Sequence, residues 1–135
     1  MEREFINPPG GLNSIPRGYS HAVKVRNPGS MIFVAGQGPV DENLKLVGAG
    51  DIEAQTRKTF ENIGRALAAA GAGFKDIVKM IVFCSDIDNQ QWPIRNVRGE
   101  FIDVDHPPVS TMIEVSKFAI KGMMIEIDVI AVAPD

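Results

Sequence analysis

The sequence contains little cysteine and little histidine. A single cysteine, Cys84, excludes an intrachain disulfide framework and suits a reducing compartment, which we expect to be the cytoplasm. Cys84 ends an apolar stretch with no local partner that would activate its thiol, so a structural role is favoured. His21 and His106 are far apart, and neither has a cysteine or another histidine at ligand spacing. We therefore expect no metal site.

Long apolar runs and clusters of basic residues are absent as well. No apolar stretch approaches the roughly 18 residues needed to cross a bilayer, and the N-terminus lacks an apolar signal segment. The 14 basic side chains are scattered singly and are outnumbered by 17 acidic ones, a distribution unsuited to nucleic-acid binding. We expect a protein that binds neither membranes nor nucleic acid.

The length and composition suit one globular domain. With 135 residues, of which 44% are hydrophobic, the chain is long enough to bury a single core. Residues 1–16 contain three prolines and two adjacent glycines, which predict an extended N-terminal arm. Residues 17–135 form the predicted domain.

Hydrophobic periodicity divides this domain into five strands and two helices. Asp51 and Gly71 bracket an amphipathic helix as its N-cap and its stop. A second helix is predicted over 89–104, with Pro93 in its first turn. The first two strands are predicted to form a hairpin, and the third is predicted to run parallel to an earlier strand. The predicted strands cover 19–25, 31–36, 76–84, 110–116 and 123–132.

The order strand, strand, helix, strand, helix, strand, strand predicts an α+β fold. One mixed sheet would carry both helices on a single face. In the last strand, every second residue from Ile125 to Ala131 would face the helices, and Glu126 and Asp128 would lie on the other side. That bare side would be mostly apolar, which predicts that it packs against other subunits. Its predicted apolar members are Met112, Met124, Ile130 and Val132.

Few residues suggest chemistry by their spacing alone. Glu126 and Asp128 would stand about 6.5 to 7 Å apart and could activate water, although such a pair is more often an interface ion pair or a solvated strand end. Gly36 could let a ligand approach the backbone, but a strand-end turn explains it equally well. Ser110 has no histidine and acid at a suitable spacing, so a serine hydrolase is not predicted.

An ordered series of segments covers the chain from about Pro16 to Val132: PRGYSHAV, MIFVAGQ, GDIEAQTRKTFENI, AAAGAGFKDIVKMIVF, FIDVDHPPVSTMIEV and MIEIDVIAV. The series resembles the RidA/YjgF/UK114 family of reactive intermediate deaminases. This resemblance implies a chorismate-mutase-like subunit that assembles as a homotrimer, with a cleft at each subunit boundary. It also implies hydrolysis of small enamines and imines to a carbonyl compound and ammonia, without a metal or organic cofactor.

The resemblance also implies site residues. In that family a tyrosine, a backbone turn, an arginine that clamps the substrate carboxylate and a glutamate that positions water form the site. Tyr19 matches the tyrosine, Gly36 the turn and Glu126 the glutamate. The arginine has no match, because Ser110 stands at its position and is followed by Thr111. Loss of one partner of a buried charge pair costs roughly 2 to 5 kcal/mol, so we expect an altered substrate specificity.

The missing arginine leaves several interpretations open. Ser110 and Thr111 would bind a neutral or differently shaped substrate, or Arg17, His21 or Arg95 would supply the charge from another direction. A trimer that binds or senses a small ligand without chemistry is the alternative to a deaminase. Endoribonuclease activity, after which some family members are named, is disfavoured by the acidic balance and by the lack of a catalytic histidine pair.

Overall fold

The computed structural model describes all 135 residues and shows a four-stranded mixed sheet with two helices packed on one face. The predicted α+β order of elements is confirmed, with one additional strand at the N-terminus. Neither helix has the length and apolar character needed to span a membrane. The strands are β1 (Glu2–Ile6), β2 (Ala22–Arg26), β3 (Ser30–Gln37), β4 (Ile77–Cys84), β5 (Val109–Glu114) and β6 (Ile125–Ala133), and the helices are α1 (Ile52–Ala69) and α2 (Ile87–Arg98).

The first helix, α1, begins and ends where its sequence predicts. The Asp51 side chain caps it by accepting a hydrogen bond of 3.1 Å from the backbone N–H of Ala54. Gly71 lies just beyond its end with a φ of 78°. The apolar stripe packs against the sheet, and its members Phe60, Ile63 and Leu67 are fully buried.

The second helix, α2, differs from the predicted 89–104. It covers Ile87–Arg98, so Pro93 lies in its interior and not in its first turn. Gln90 explains the early start, because its side-chain oxygen accepts the backbone N–H groups of the two residues before the helix at 3.1 and 2.9 Å. The helix ends at Arg98 with Gly99 as its C-cap, and residues 99–104 form a turn followed by bends.

Two predicted strand pairings are wrong. β2 pairs with β1 and not with β3, which instead lies antiparallel to β6. β4 is parallel to β5, the strand that follows it, and not to an earlier strand. The order of the main sheet is β3-β6-β4-β5. Local sequence signals a chain reversal at residues 27–29, but the partner of a strand is decided by which backbone edge lies free beside it.

The predicted N-terminal arm contains β1 and is tied to the domain through Arg3. The Arg3 guanidinium forms an ion pair of 2.9 Å with Asp76 and donates a hydrogen bond to the backbone carbonyl of Val132. Asp76 is only 3% exposed, and its second carboxylate oxygen accepts the N–H of Gly73 at 2.9 Å. The arm is therefore held against the start of β4 and the end of β6.

The core lies between the helices and one face of the sheet. Along β6, every second residue from Ile125 to Ala131 is buried beneath the helices, as predicted. Met112, predicted on the bare side, packs against this core, because the parallel register with β4 places it beside buried Val82. Val132, also predicted to be bare, is buried within the chain.

The other side of the sheet carries no helix, and we call it the open sheet face. Phe33 is 71% exposed there, and Met31 and Ile113 are also exposed. Glu126 and Asp128 lie half-buried on the same face, as predicted. Its members by strand register are Met31, Phe33, Lys79, Ile81, Phe83, Val109, Thr111, Ile113, Glu126, Asp128 and Ile130.

Replacement of Arg3 by alanine should lower the free energy of unfolding by about 2 to 4 kcal/mol, because the buried Asp76 carboxylate loses its cation. The matched control is Arg26→Ala, which removes ion pairs to the exposed Glu2 and Glu4 and should cost under about 1 kcal/mol. Urea denaturation at one protein concentration measures both values. Equal losses in the two variants would contradict the anchoring role of Arg3.

Candidate active site

A polar cavity of about 490 Å³ lies beside β5, and we call it the β5 pocket. The last turn of α2, the strand β5 and the 3₁₀ turn Ile15–Arg17 contribute to its wall. Five of the predicted site residues line it: Arg17, Tyr19, Arg95, Ser110 and Thr111. An adjoining cavity of about 260 Å³ shares its arginines. The fold therefore brings together residues that are almost a hundred positions apart in the chain.

Arg98 is the pocket residue that sequence reasoning missed. It is 3% exposed and donates hydrogen bonds from Nη1 to Ser110 Oγ at 3.3 Å and from Nη2 to the backbone carbonyl of Arg17 at 2.8 Å. A signal for it exists in the sequence, because Arg98 follows buried Ile94 by four residues and so occupies the apolar stripe of α2. A charged residue in such a stripe requires a polar partner.

The turn before Tyr19 is shaped around the Arg98 guanidinium. Gly18 adopts a φ of 85°, and a Cβ atom there would collide with the Nη2 atom of Arg98. The carbonyl of Arg17 accepts a hydrogen bond from the same nitrogen. Only glycine at this position therefore lets the turn and the guanidinium meet, and this contact fixes where Tyr19 enters the pocket.

The three arginines of the β5 pocket, Arg17, Arg95 and Arg98, have no carboxylate partner in the chain. Burial and the neighbouring charge of Arg95 lower the pKa of Arg98 to about 10. Burial and the charge of Arg17 likewise lower the pKa of Arg95. At neutral pH Arg98 is protonated in both the folded and the unfolded chain, so burial of its charge lowers the stability of the fold in full. This loss of stability is relieved only as the pH rises through the lowered pKa of about 10.

The indole of Trp92 supports two of these guanidinium groups. The Cζ atoms of Arg95 and Arg17 lie 4.9 and 5.8 Å from its ring centroid, which is the range of a cation–π interaction. Gln91 accepts a hydrogen bond of 2.9 Å from Arg95 Nη1, but the buried Nε of Arg95 has no partner. The ring holds the two charges close together without neutralising them.

Glu126 and Gly36 form a second group, separate from the β5 pocket. A Cβ atom at Gly36 would stand 2.9 Å from Cδ and Oε2 of Glu126, so the carboxylate packs directly on the glycine. Gly36 lies where the register between β3 and β6 shifts, between Val34 and Gln37. β4 separates β6 from β5, and two strand spacings are about 10 Å. One chain therefore does not bring Glu126 to the pocket arginines.

The remaining predicted residues lie elsewhere. His21 is exposed, and its Nε2 is 2.6 Å from the carbonyl oxygen of Leu12, so it contacts the N-terminal loop and does not line the β5 pocket. Its ring centroid is 6.2 Å from that of Tyr19. Burial raises the pKa of the Cys84 thiol, which favours an inert structural side chain. No group of three or more His, Cys, Asp or Glu side chains is placed to hold a metal ion.

Residues 13–133 match the family model described as Endoribonuclease L-PSP. The chain belongs to this family, the RidA/YjgF/L-PSP family. A RutC family protein of Pyrococcus abyssi is 38% identical over 113 residues, which are 84% of each chain. The 2-iminobutanoate/2-iminopropanoate deaminase of Salmonella typhimurium is 36% identical over 107 residues, which are 77% of this chain and 80% of that relative.

A solved structure of the RidA family extends the likeness to three dimensions. The crystal structure of YyfB from Yersinia pestis, described as a Rid family protein of unknown function, superposes with a TM-score of 0.86. It is 32% identical and covers 98% of this chain and 100% of its own. The predicted chorismate-mutase-like fold of the RidA family is confirmed.

Replacement of Gly36 by alanine should displace the Glu126 carboxylate and leave the fold intact. Ordinary contacts between the new Cβ atom and the Glu126 carboxylate are roughly 3.5 to 4 Å, so the carboxylate should shift by about 0.5 to 1 Å. A crystal structure of the variant would reveal this shift. Gly73→Ala is the matched control, because a Cβ atom at Gly73 meets open space. An unmoved Glu126 in the Gly36 variant would contradict the packing described above.

Proposed function

We propose that the protein is a cofactor-free deaminase that hydrolyses small imines and enamines to a carbonyl compound and ammonia, with a substrate specificity of its own. The observation that carries this proposal is the half-buried Glu126 carboxylate packed on Gly36. The 2-iminobutanoate/2-iminopropanoate deaminase relative supports the reaction class. Ser110 stands at the position that the family resemblance assigns to an arginine, which supports the difference in specificity.

Glu126 would act on the water molecule. Imine hydrolysis adds water across the C=N bond, and the resulting carbinolamine loses ammonia to leave the C=O group. The carboxylate would take one proton from water as the water oxygen bonds to carbon, and would pass it to the imine nitrogen, which gives the carbinolamine. It would then take the hydroxyl proton of the carbinolamine and pass it to the nitrogen as the C–N bond breaks and the C=O group forms. The sum is one imine and one water converted to one carbonyl compound and one ammonia, so no redox partner is required.

A homotrimer would complete this site, with the open sheet faces at its centre. Within one chain β4 keeps Glu126 about 10 Å from the β5 pocket. The open sheet face exposes Met31, Phe33 and Ile113, an apolar patch of the kind that marks subunit interfaces. Contact between these faces would cover the patch and could bring Glu126 of one copy towards the β5 pocket of the next. The small-molecule substrate would bind in the resulting cleft.

Replacement of Phe33 by lysine should dissociate the trimer, because it places a charge in the centre of the proposed interface. Sedimentation equilibrium at two concentrations should give three times the chain mass for the parent protein and a smaller, concentration-dependent mass for the variant. Leu44→Lys, at a loop position of similar exposure, should leave the mass unchanged. A parent protein that sediments as a monomer would reject the intersubunit cleft.

Replacement of Glu126 by glutamine should reduce ammonia release from freshly generated 2-iminopropionate by about 10²- to 10⁴-fold, because the amide cannot accept the proton of water. Glu42→Gln, at an exposed loop position, is the matched control. A Ser110→Arg variant tests the specificity: activity in that variant alone would indicate an intact catalytic group redirected to another substrate. Unchanged activity of the Glu126 variant on every accepted substrate would show that Glu126 has no catalytic role.

Two alternatives use the same cleft. A trimer that binds a ligand without chemistry is favoured by Ser110 at the arginine position, and such a ligand would be recovered unaltered. Ribonuclease action is named in the family description. The pocket arginines line a cavity of about 490 Å³ and do not form a surface stripe, which disfavours a long RNA ligand. RNA cleavage by protein that is free of contaminating nuclease would favour ribonuclease action over the proposed deaminase.

A further inference from the structure

The β5 pocket concentrates positive charge without neutralising it. Arg17, Arg95 and Arg98 line it, whereas no aspartate or glutamate does. The one acidic residue of the adjoining cavity, Asp103, is engaged by the N–H of Asp105 and by the N–H and ring of His106. Buried charges in folded proteins are nearly always paired or bound to a ligand. Three guanidinium groups without a carboxylate therefore point to an anion that the chain does not supply.

Arg98 is placed to be the main contact of that anion. Its Nη1 and Nη2 atoms each use one hydrogen bond within the chain, and each of these nitrogens carries two N–H groups. One N–H on each therefore remains for a ligand, and a carboxylate can bind a guanidinium through two parallel bonds. Its contact with Ser110 Oγ puts this charge beside the position that the family resemblance assigns to the strand arginine.

Arg95 and Arg17 provide further charge at the wall of the same pocket. Trp92 holds both, and the Nε of Arg95 is buried without a partner. A single carboxylate on Arg98 would leave these two charges uncompensated. A ligand with a second negative group would reach them, because a cavity of about 490 Å³ has room for a small diacid.

We infer that the β5 pocket binds small dianions, with Arg98 of α2 in place of the strand arginine and with Arg95 and Arg17 as the contacts of the second anionic group. The inference rests on the proposed function for its substrate class, which is a 2-imino acid with a second carboxylate. This chain carries three arginines from two other elements and so selects a more negative molecule.

Binding of unreactive anions tests the site separately from catalysis. Succinate and butyrate have the same number of carbons, and only succinate carries two carboxylates. Isothermal titration at low salt should show that succinate binds roughly tenfold or more tightly than butyrate, and the difference should shrink as the salt concentration rises. Equal affinity for the two acids, or no binding of either, would overturn the inference.

Variants assign the binding to the pocket arginines. Arg98→Met should remove most of the preference for succinate, because it removes the proposed main contact of the anion. Arg95→Met, at a more exposed position, should weaken the binding of succinate more than that of butyrate. It replaces Arg98→Met as the test if that variant does not fold. Arg57→Met is the matched control, because Arg57 is exposed and paired with Glu100.

Two further outcomes would assign the anion to another source, and a third would contradict the role of Arg98. Binding of inorganic phosphate without binding of succinate would overturn the dicarboxylate assignment in favour of a phosphate-bearing ligand. A smaller assembled mass for Arg98→Met, with no succinate binding by the parent protein, would show that the arginines pair with carboxylates of a neighbouring copy. Full retention of the preference for succinate by the Arg98→Met variant would also contradict the role of Arg98.

Turnover separates this inference from the proposed function. Ammonia release can be compared for 2-iminoglutarate and 2-iminobutanoate, each generated freshly by an amino acid oxidase, and the dicarboxylic imine should be hydrolysed faster. Succinate binding without ammonia release from either imine would support the dianion site and reject the deaminase. Ammonia release from 2-iminobutanoate without succinate binding would reject the dianion site alone.

Discussion

The alternation of side chains along β6 is the constraint on which the rest of the structure depends. β6 lies between β3 and β4 in the main sheet, so its two faces decide what each side of the sheet can be. Its buried face supplies four consecutive inward positions to the core beneath α1 and α2. The other face carries Glu126 and Asp128, which stay half-exposed. One strand thus joins the stability of the domain to the group proposed to act on water.

The candidate site is divided between two places in the chain. Glu126 rests on Gly36 near the register shift of β3, whereas the polar groups that would hold a substrate gather around β5. β4 lies between them, and its residues opposite Asp128 and Glu126 are the apolar Ile81 and Phe83. The proposed site would therefore be completed only by association of subunits. The exposed apolar open sheet face gives a physical reason for such association, because burying it removes apolar area from water.

The charge of the β5 pocket comes from helix α2 and from a turn near the N-terminus, although the family resemblance directs attention to β5. Arg98 lies beside Ile94 and Val97 on the buried side of α2, and burial and the charge of Arg95 lower its pKa. Structures tolerate such costs where binding or catalysis requires them. Gly18 supports the same interpretation, because the turn gives up a side chain to admit this guanidinium.

The sequence by itself determined what depends on neighbours a few residues away. The cap at Asp51, the stop at Gly71 and the inward set of β6 follow from local hydrogen bonding and from periods of 3.6 and 2 residues. Tertiary structure alone decided which strands pair, where Met112 packs and how Arg98 reaches both Ser110 and the Arg17 carbonyl, which is 81 positions away. These contacts join elements whose approach depends on the packing of the whole domain, and no local pattern records that packing.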